Sequence, residues 1–216
     1  MSTMTREPAV AAVAPGASAD GTIRLRRRTI DKLLIGMGLI AAIVFAVAGG
    51  LLMWGSNFAR DYVHDELSSQ KVFFPSAAEL KDEGRTDLLS HADQQVTTGR
   101  EAQAYASFIN GHLQQIGGGK TYSQIDDRGA AQAVIDAKDK GASGAEVAKL
   151  QATADELRTQ RDTLFKGETL RGLLLTSYAW ATIGTIAFIA AWVAFVGAAV
   201  MAALVVAGFV HLRRTT

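Results

Sequence analysis

The sequence predicts an all-α membrane protein in which two transmembrane helices flank a helical extracytoplasmic domain. Neither residues 33–59 nor residues 172–210 include a charged side chain, and each run exceeds the ~20 apolar residues that cross a bilayer. Residues 60–171 have 14 basic and 18 acidic residues, whereas the rest of the chain has eight basic and three acidic residues. Because Lys and Arg concentrate on the cytoplasmic side, we expect a plasma-membrane protein with both termini cytoplasmic and the acidic segment outside.

The N-terminal residues 1–32 are expected to form a disordered cytoplasmic tail that ends in a basic collar. The cluster Arg24–Arg28 would also suit a nucleic acid, but basic residues before an apolar span are far commoner, so no nucleic-acid partner is predicted. Residues 33–54 form the first predicted transmembrane helix, with Trp54 at the interface. Ala46–Ala48 would fit a signal-peptide cleavage site, although the apolar run continues past it and favours a retained anchor.

Small residues recur at every fourth position in both apolar runs. They are Gly38, Ala42, Ala46 and Gly50 in the first run, and Ala190, Ala194, Ala198 and Ala202 in the second. Such stripes let two helix backbones approach closely inside a bilayer, where no hydrophobic effect drives helices together. The pattern predicts a close-packed hairpin of the two spans or a seam between two copies, unless it reflects only the abundance of Ala and Gly.

The second apolar segment, residues 173–211, is too long for one perpendicular crossing. We favour an interfacial start and a single crossing over residues 183–210, with tilt and protrusion taking up the excess. Two short crossings would leave the C-terminus outside, against the charges of Arg213 and Arg214. The sequence alone leaves the number of crossings open, and residues 212–216 are assigned to a cytoplasmic tail.

Residues 55–172 are predicted to form the helical extracytoplasmic domain, which has no disulfide because the chain has no cysteine. Residues 57–69 would extend the first helix until Pro75 prevents its continuation. Two capping-box patterns mark later helix starts: they are Thr98 with Glu101, and Ser143 with Glu146. After the second, apolar residues spaced by three and four over residues 147–164 suit an amphipathic helix better than a coiled coil.

The residues that could suggest catalysis or cofactor binding do not have the spacing that such motifs require. The run Gly117–Thr121 lacks the first glycine of a phosphate-binding loop and follows a predicted helix, not a strand. The three loop histidines, His64, His91 and His112, lack the i, i+3 or i, i+4 pairing that would indicate a metal site on one helix. Neither span contains an ionisable residue, so no ion or proton path is expected from this chain alone. No catalytic, cofactor or metal residue is predicted.

Two stretches of the loop resemble a known family. They are residues 102–126, with Asn110, His112, Gly118–Tyr122 and Asp126, and residues 164–174, which lead into the second span. Both are similar to a family of uncharacterised actinobacterial membrane proteins with two spans and an extracytoplasmic "GGKTY" loop. Members are often labelled aromatic-ring-opening dioxygenases, which we regard as a mislabel because no iron-site pattern is present. The resemblance implies a two-span architecture.

Five polar residues around the glycine turn of this loop are candidates for structural or partner contacts: Asn110, His112, Lys120, Tyr122 and Asp126. We expect four of them to hydrogen-bond across the turn and leave Lys120 free for a partner or an anionic lipid headgroup. The predicted function is that of a structural or accessory envelope protein, which binds another membrane or envelope protein, or a second copy, through this loop. An extracytoplasmic sensor or ligand-binding module is the alternative, and an enzyme ranks last.

Overall fold

The computed structural model describes residues 27–214. Within them lie five α-helices: α1 (Arg27–Ser69), α2 (Ala77–Asp82), α3 (Gly99–Gly117), α4 (Asp127–Asp139) and α5 (Gly144–Arg214). Short 3₁₀ helices cover Thr86–His91 and Tyr122–Gln124, and the described residues contain no strand beyond one isolated bridge between Phe73 and Gln95. The all-α prediction is confirmed for this part of the chain. The predicted tail at residues 1–26 and the last two residues lie outside it.

The two longest helices, α1 and α5, are both long and apolar enough to cross a membrane. They pack antiparallel, because Gly38 near the start of α1 contacts Val205 near the end of α5, and Ala59 contacts Gly184. This pairing places the charge-free residues 33–59 of α1 beside approximately residues 184–210 of α5. The predicted hairpin of the two apolar helices is therefore present in the fold.

Helix α5 is continuous over 71 residues. The amphipathic helix that starts after Ser143 and the second apolar run are parts of this one helix, with no break at residue 172. Of the apolar residues beyond the paired section, Leu174 is buried in a core with Val63 and Leu67 of α1, whereas Leu173 is 63% exposed. The single crossing stays a prediction.

Residues 70–143, which we call the helical cap, contain α2, α3 and α4. Helices α3 and α4 pack against α5, α3 also contacts α1, and α2 packs against the 3₁₀ helix Thr86–His91. Three small clusters of buried apolar residues form its core. The first holds Val63, Leu67, Phe74, Val96, Ala102, Ala106 and Leu174; the second Leu80, Leu88 and Phe108; the third Leu113, Ile125 and Leu164. Because each cluster includes residues of α3 or its direct neighbours, α3 is the central element of the cap.

Local sequence signals set the helix ends. α1 ends at Ser69, and Gly118 terminates α3 with φ = 57°, a left-handed conformation that glycine adopts without strain. At the start of α3, Thr98 Oγ1 accepts from the Glu101 amide at 3.3 Å, and the Glu101 carboxylate accepts from the Thr98 amide at 2.9 Å. This capping box was predicted from the sequence and is confirmed.

Candidate functional site

The contact between α1 and α5 is built on glycine notches. Four glycines, two on each helix, each receive a large side chain of the other: Val205 at Gly38, Phe195 at Gly49, Phe45 at Gly197 and Ile35 at Gly208. A Cβ added at Gly49 would lie 2.8 Å from the Phe195 ring, closer than real carbon atoms approach. The two helices are thus fitted to one another by shape, which is how helices associate in a bilayer.

The predicted small-residue stripes only partly coincide with this contact. Gly38, Ala42 and Ala194 are buried in it, and Ala190 and Ala198 are half-buried. Ala46, Gly50 and Ala202 are exposed, and Gly49 occupies the place expected for Gly50. The reason is geometric: a spacing of four residues advances about 40° beyond one full turn, whereas paired helices keep contact at an average spacing of about 3.5.

The polar residues around the glycine turn make separate contacts. Asp126 caps α4 by accepting from the Gly129 amide at 2.9 Å, and Tyr122 packs edge-on against Phe165 with ring centroids 5.6 Å apart. Lys120 is exposed, as the sequence suggested.

His112 and Asn110 lie two residues apart on α3 and therefore face different neighbours. His112 packs against the Phe108 ring at 4.6 Å, and its Nε2 lies 3.5 Å from a Glu83 carboxylate oxygen. Asn110 borders a small recess beside Tyr122. Within residues 27–214, no hydrogen bond joins these four residues to one another, so the expected network across the turn is replaced by a helix cap and ring packing.

The remaining loop histidines also have structural surroundings. His91 stacks on Phe74 with centroids 5.0 Å apart, whereas His64 faces a cleft described below. Over the described residues, no three His, Asp or Glu side chains are grouped as a metal site would require.

Arg85 joins the connection after α2 to the middle of α3. Its guanidinium donates to both carboxylate oxygens of Asp87 at 3.0 and 2.8 Å, and to the Ser107 carbonyl and hydroxyl at 3.0 and 3.1 Å. The hydrogen bond to Asp87 raises the pKa of Arg85, and the same bond lowers the pKa of Asp87. Sequence inspection missed this contact, since residues 22 positions apart give no local signal.

A cleft of about 700 Å³ opens where the charge-free sections of α1 and α5 end. It lies between α1, the first turn of α3 and residues 178–185 of α5, and its charged lining residues are Arg60, Asp61 and Arg100. Gly99 lets the backbones of α3 and α5 approach closely at its wall, because a Cβ there would collide with Ala181 and lie 3.3 Å from the Tyr178 backbone. The cleft is therefore a fixed product of helix packing.

On the opposite side of α5 runs a row of exposed apolar side chains, which we call the outer row: Phe165, Leu173 and Trp180. Their exposed fractions are 55%, 63% and 46%. Spacings of eight and seven residues keep the three within about 80° on one face of the helix. Tyr122 extends the row through its contact with Phe165. This face is uncovered in the single chain.

No family model, curated protein or solved structure matches this chain. The family resemblance in the loop therefore stays a prediction.

Proposed function

We propose that this chain is a two-span plasma-membrane protein, with both termini in the cytoplasm and the helical cap on the extracytoplasmic side. The paired charge-free sections are about 40 Å long at ~1.5 Å per helical residue, which matches a bilayer with its headgroups. Basic residues flank them on one side, and the acidic segment lies on the other.

Cysteine labelling tests this orientation, because the described chain has no native cysteine. In Lys120→Cys, the thiol should react with a membrane-impermeant maleimide in intact cells. A thiol that reacts only after lysis would place the cap in the cytoplasm and contradict the orientation.

Within this placement, we propose a structural or accessory role, in which the cap binds another membrane protein of the envelope. The observation that carries the proposal is the outer row. Leu173 and Phe165 lie about 16 and 28 Å beyond Gly184 at ~1.5 Å per residue, past the reach of lipid headgroups. A continuous row of exposed apolar side chains at that height is typical of a surface that another protein covers.

The row also indicates the geometry of the partner. It continues along α5 into the exposed apolar face of the paired section, where Ile183 and Ile186 are 55% and 62% exposed. A partner helix that crosses the bilayer and extends beyond it would contact both parts at once. An integral membrane protein with a helix protruding on the cap side fits this surface best.

A photo-crosslinking amino acid placed at Leu173 tests the role in the native membrane. The matched control carries the same amino acid at Thr153, which is also exposed on α5 but lies about 160° around the helix from Leu173. A stoichiometric partner captured from position 173 and not from position 153 supports an accessory subunit. Capture of a second copy would make the row a self-interface, and equal or absent capture at both positions would contradict the role of the row.

The alternative, an extracytoplasmic sensor or ligand-binding module, is favoured by the cleft beside Arg60 and Arg100. Its volume falls in the range of about 300–1,000 Å³ that is typical of ligand sites. The absence of an enzymatic activity stays a prediction from the sequence.

A further inference from the structure

The cleft beside Arg60 lies at the depth where the bilayer surface is proposed. Arg60 is the first charged residue after the charge-free run of α1, and Thr185 of the cleft is adjacent to Gly184, which contacts Ala59. Lipid headgroups occupy this zone, between the hydrocarbon core and water. Because of this position, the molecule expected to enter the cleft is a membrane lipid.

Arg60 is held in a defined place. Helical side chains lean toward the N-terminus of their helix, which for α1 is toward the bilayer. The guanidinium carbon accordingly lies 4.4 Å from the centroid of the Phe188 ring, in a cation–π contact. Stacking on one face leaves the N–H groups at the guanidinium edge available for an anion.

The lining has an excess of unpaired positive charge. Within residues 27–214 neither Arg60 nor Arg100 has an ion pair, and Asp61 is the acidic residue of the lining. The threonine hydroxyls already donate to their own helix, Thr182 to the Tyr178 carbonyl and Thr185 to the Ala181 carbonyl. Glu101 already caps the first turn of α3, so the two arginines are the main groups for binding an anion, and Gln103 and His64 also line the cleft.

We propose that this cleft binds the phosphodiester headgroup of an anionic membrane lipid, with Arg60 and Arg100 on the phosphate. Planar guanidinium groups match the oxygens of phosphate in pairs. The acyl chains would follow the apolar surface of α5 past Phe188 into the bilayer. The site goes beyond partner binding and rests only on the proposed membrane placement.

Native mass spectrometry of the purified full chain tests the site, with phosphatidylglycerol and phosphatidylcholine as probes. The wild type should retain phosphatidylglycerol preferentially, since the choline cation repels the arginines. Arg60→Gln with Arg100→Gln should weaken retention by about tenfold or more, because charge-assisted hydrogen bonds are lost. The control pair, Arg158→Gln with Lys166→Gln, removes two exposed charges of α5 outside the cleft and should bind as the wild type does.

Thr182→Trp gives a second test that fills the cleft without removing charge, and it should also weaken retention. Equal retention of both lipids, or an equal loss in the control pair, would overturn the site. Competition by inorganic phosphate at concentrations comparable to the lipid would show a phosphate site and overturn the lipid assignment. Extraction of the chain from membranes by alkali would instead contradict the membrane placement, so the two failures are distinguishable.

Discussion

The contact between the apolar helices and the core of the cap are stabilised in different ways. Between α1 and α5, glycine notches receive large side chains, and Ser56 is a fully buried polar residue whose hydroxyl has no partner among the described residues. In the cap, stacked and edge-on ring pairs, capping boxes and the Arg85 contacts surround small apolar clusters. Shape complementarity is the available force in lipid, whereas water rewards apolar burial and allows charged groups at the edges.

The largest expected effect comes from filling one of the glycine notches. Gly49→Ile would force a branched side chain into the Phe195 ring, and overpacking of this kind costs about 1–3 kcal/mol. Gly50→Ile is the matched control, because a Cβ at the adjacent position meets nothing within 4 Å. The thermal midpoint in detergent should fall for the first variant and not for the second.

Disulfide formation between cysteines placed at Ala59 and Gly184 provides an independent measurement of this contact. The Cβ positions are 3.1 Å apart, so a small separation of the two helices would bring them to the ~3.5–4.5 Å of a disulfide. Crosslinking should decrease with Gly49→Ile and persist with Gly50→Ile. Equal crosslinking in both backgrounds would mean that the notch does not hold the hairpin together.

The second effect concerns the docking of the cap on α5. Gly99→Ala brings a methyl group against Ala181 and the Tyr178 backbone, so α3 must shift and stability should fall by about 1–2 kcal/mol. Gly144→Ala is the control, since Gly144 also begins a helix but has open space around it. Proteolysis of the cap should accelerate only in Gly99→Ala, and unchanged protection would show that α3 docks without close contact.

A smaller effect is expected from the polar contacts of the cap. Arg85→Gln removes charged hydrogen bonds to Asp87 and Ser107, and we expect a loss of about 1–2 kcal/mol because the arginine side chain is 18% exposed. The control is Arg171→Gln. The Arg171 side chain is 34% exposed and its ion pair with Glu168 lies within one helix turn, so this pair should contribute about 0–1 kcal/mol. The thermal midpoints of the two variants are compared with that of the wild type. Equal decreases would mean that the Arg85 contacts contribute no more than a surface ion pair.

The smallest effect is a pH dependence at the start of α3. Burial acts to raise the pKa of Glu101, but hydrogen bonds from Thr97 and Thr98 outweigh it and lower that pKa below 4.5. A lowered folded-state pKa stabilises the fold above the unfolded pKa, and this contribution is lost as pH falls through the folded value. The stability gap between wild type and Glu101→Gln should therefore shrink under acid. Glu146→Gln is the control, because the Glu146 carboxylate has no hydrogen bond among the described residues. If the stability difference between wild type and Glu146→Gln shrank equally under acid, the hydrogen bonds to Glu101 would not be the cause.

The features that the sequence predicts are those that depend on residues close together in the chain. Charge-free runs and capping boxes are local, so the two apolar helices and the start of α3 at Thr98 were predictable. The register of α1 against α5 was not, because several Gly and Ala residues offer competing stripes and only the three-dimensional contact selects Gly49 over Gly50. The cleft joins Arg60 to Arg100 across 40 positions and gives no pattern in the sequence.

The unbroken course of α5 also has a mechanical consequence. A helix of 71 residues is about 105 Å long at ~1.5 Å per residue, and proline, the usual cause of a kink, is absent from it. In the proposed membrane placement, this helix would act as a stiff lever that pivots at the bilayer. A tilt of about 10° at the membrane surface would then move its distal end sideways by roughly 10 Å, and a force applied at that end would reach the proposed cytoplasmic side without an intervening hinge.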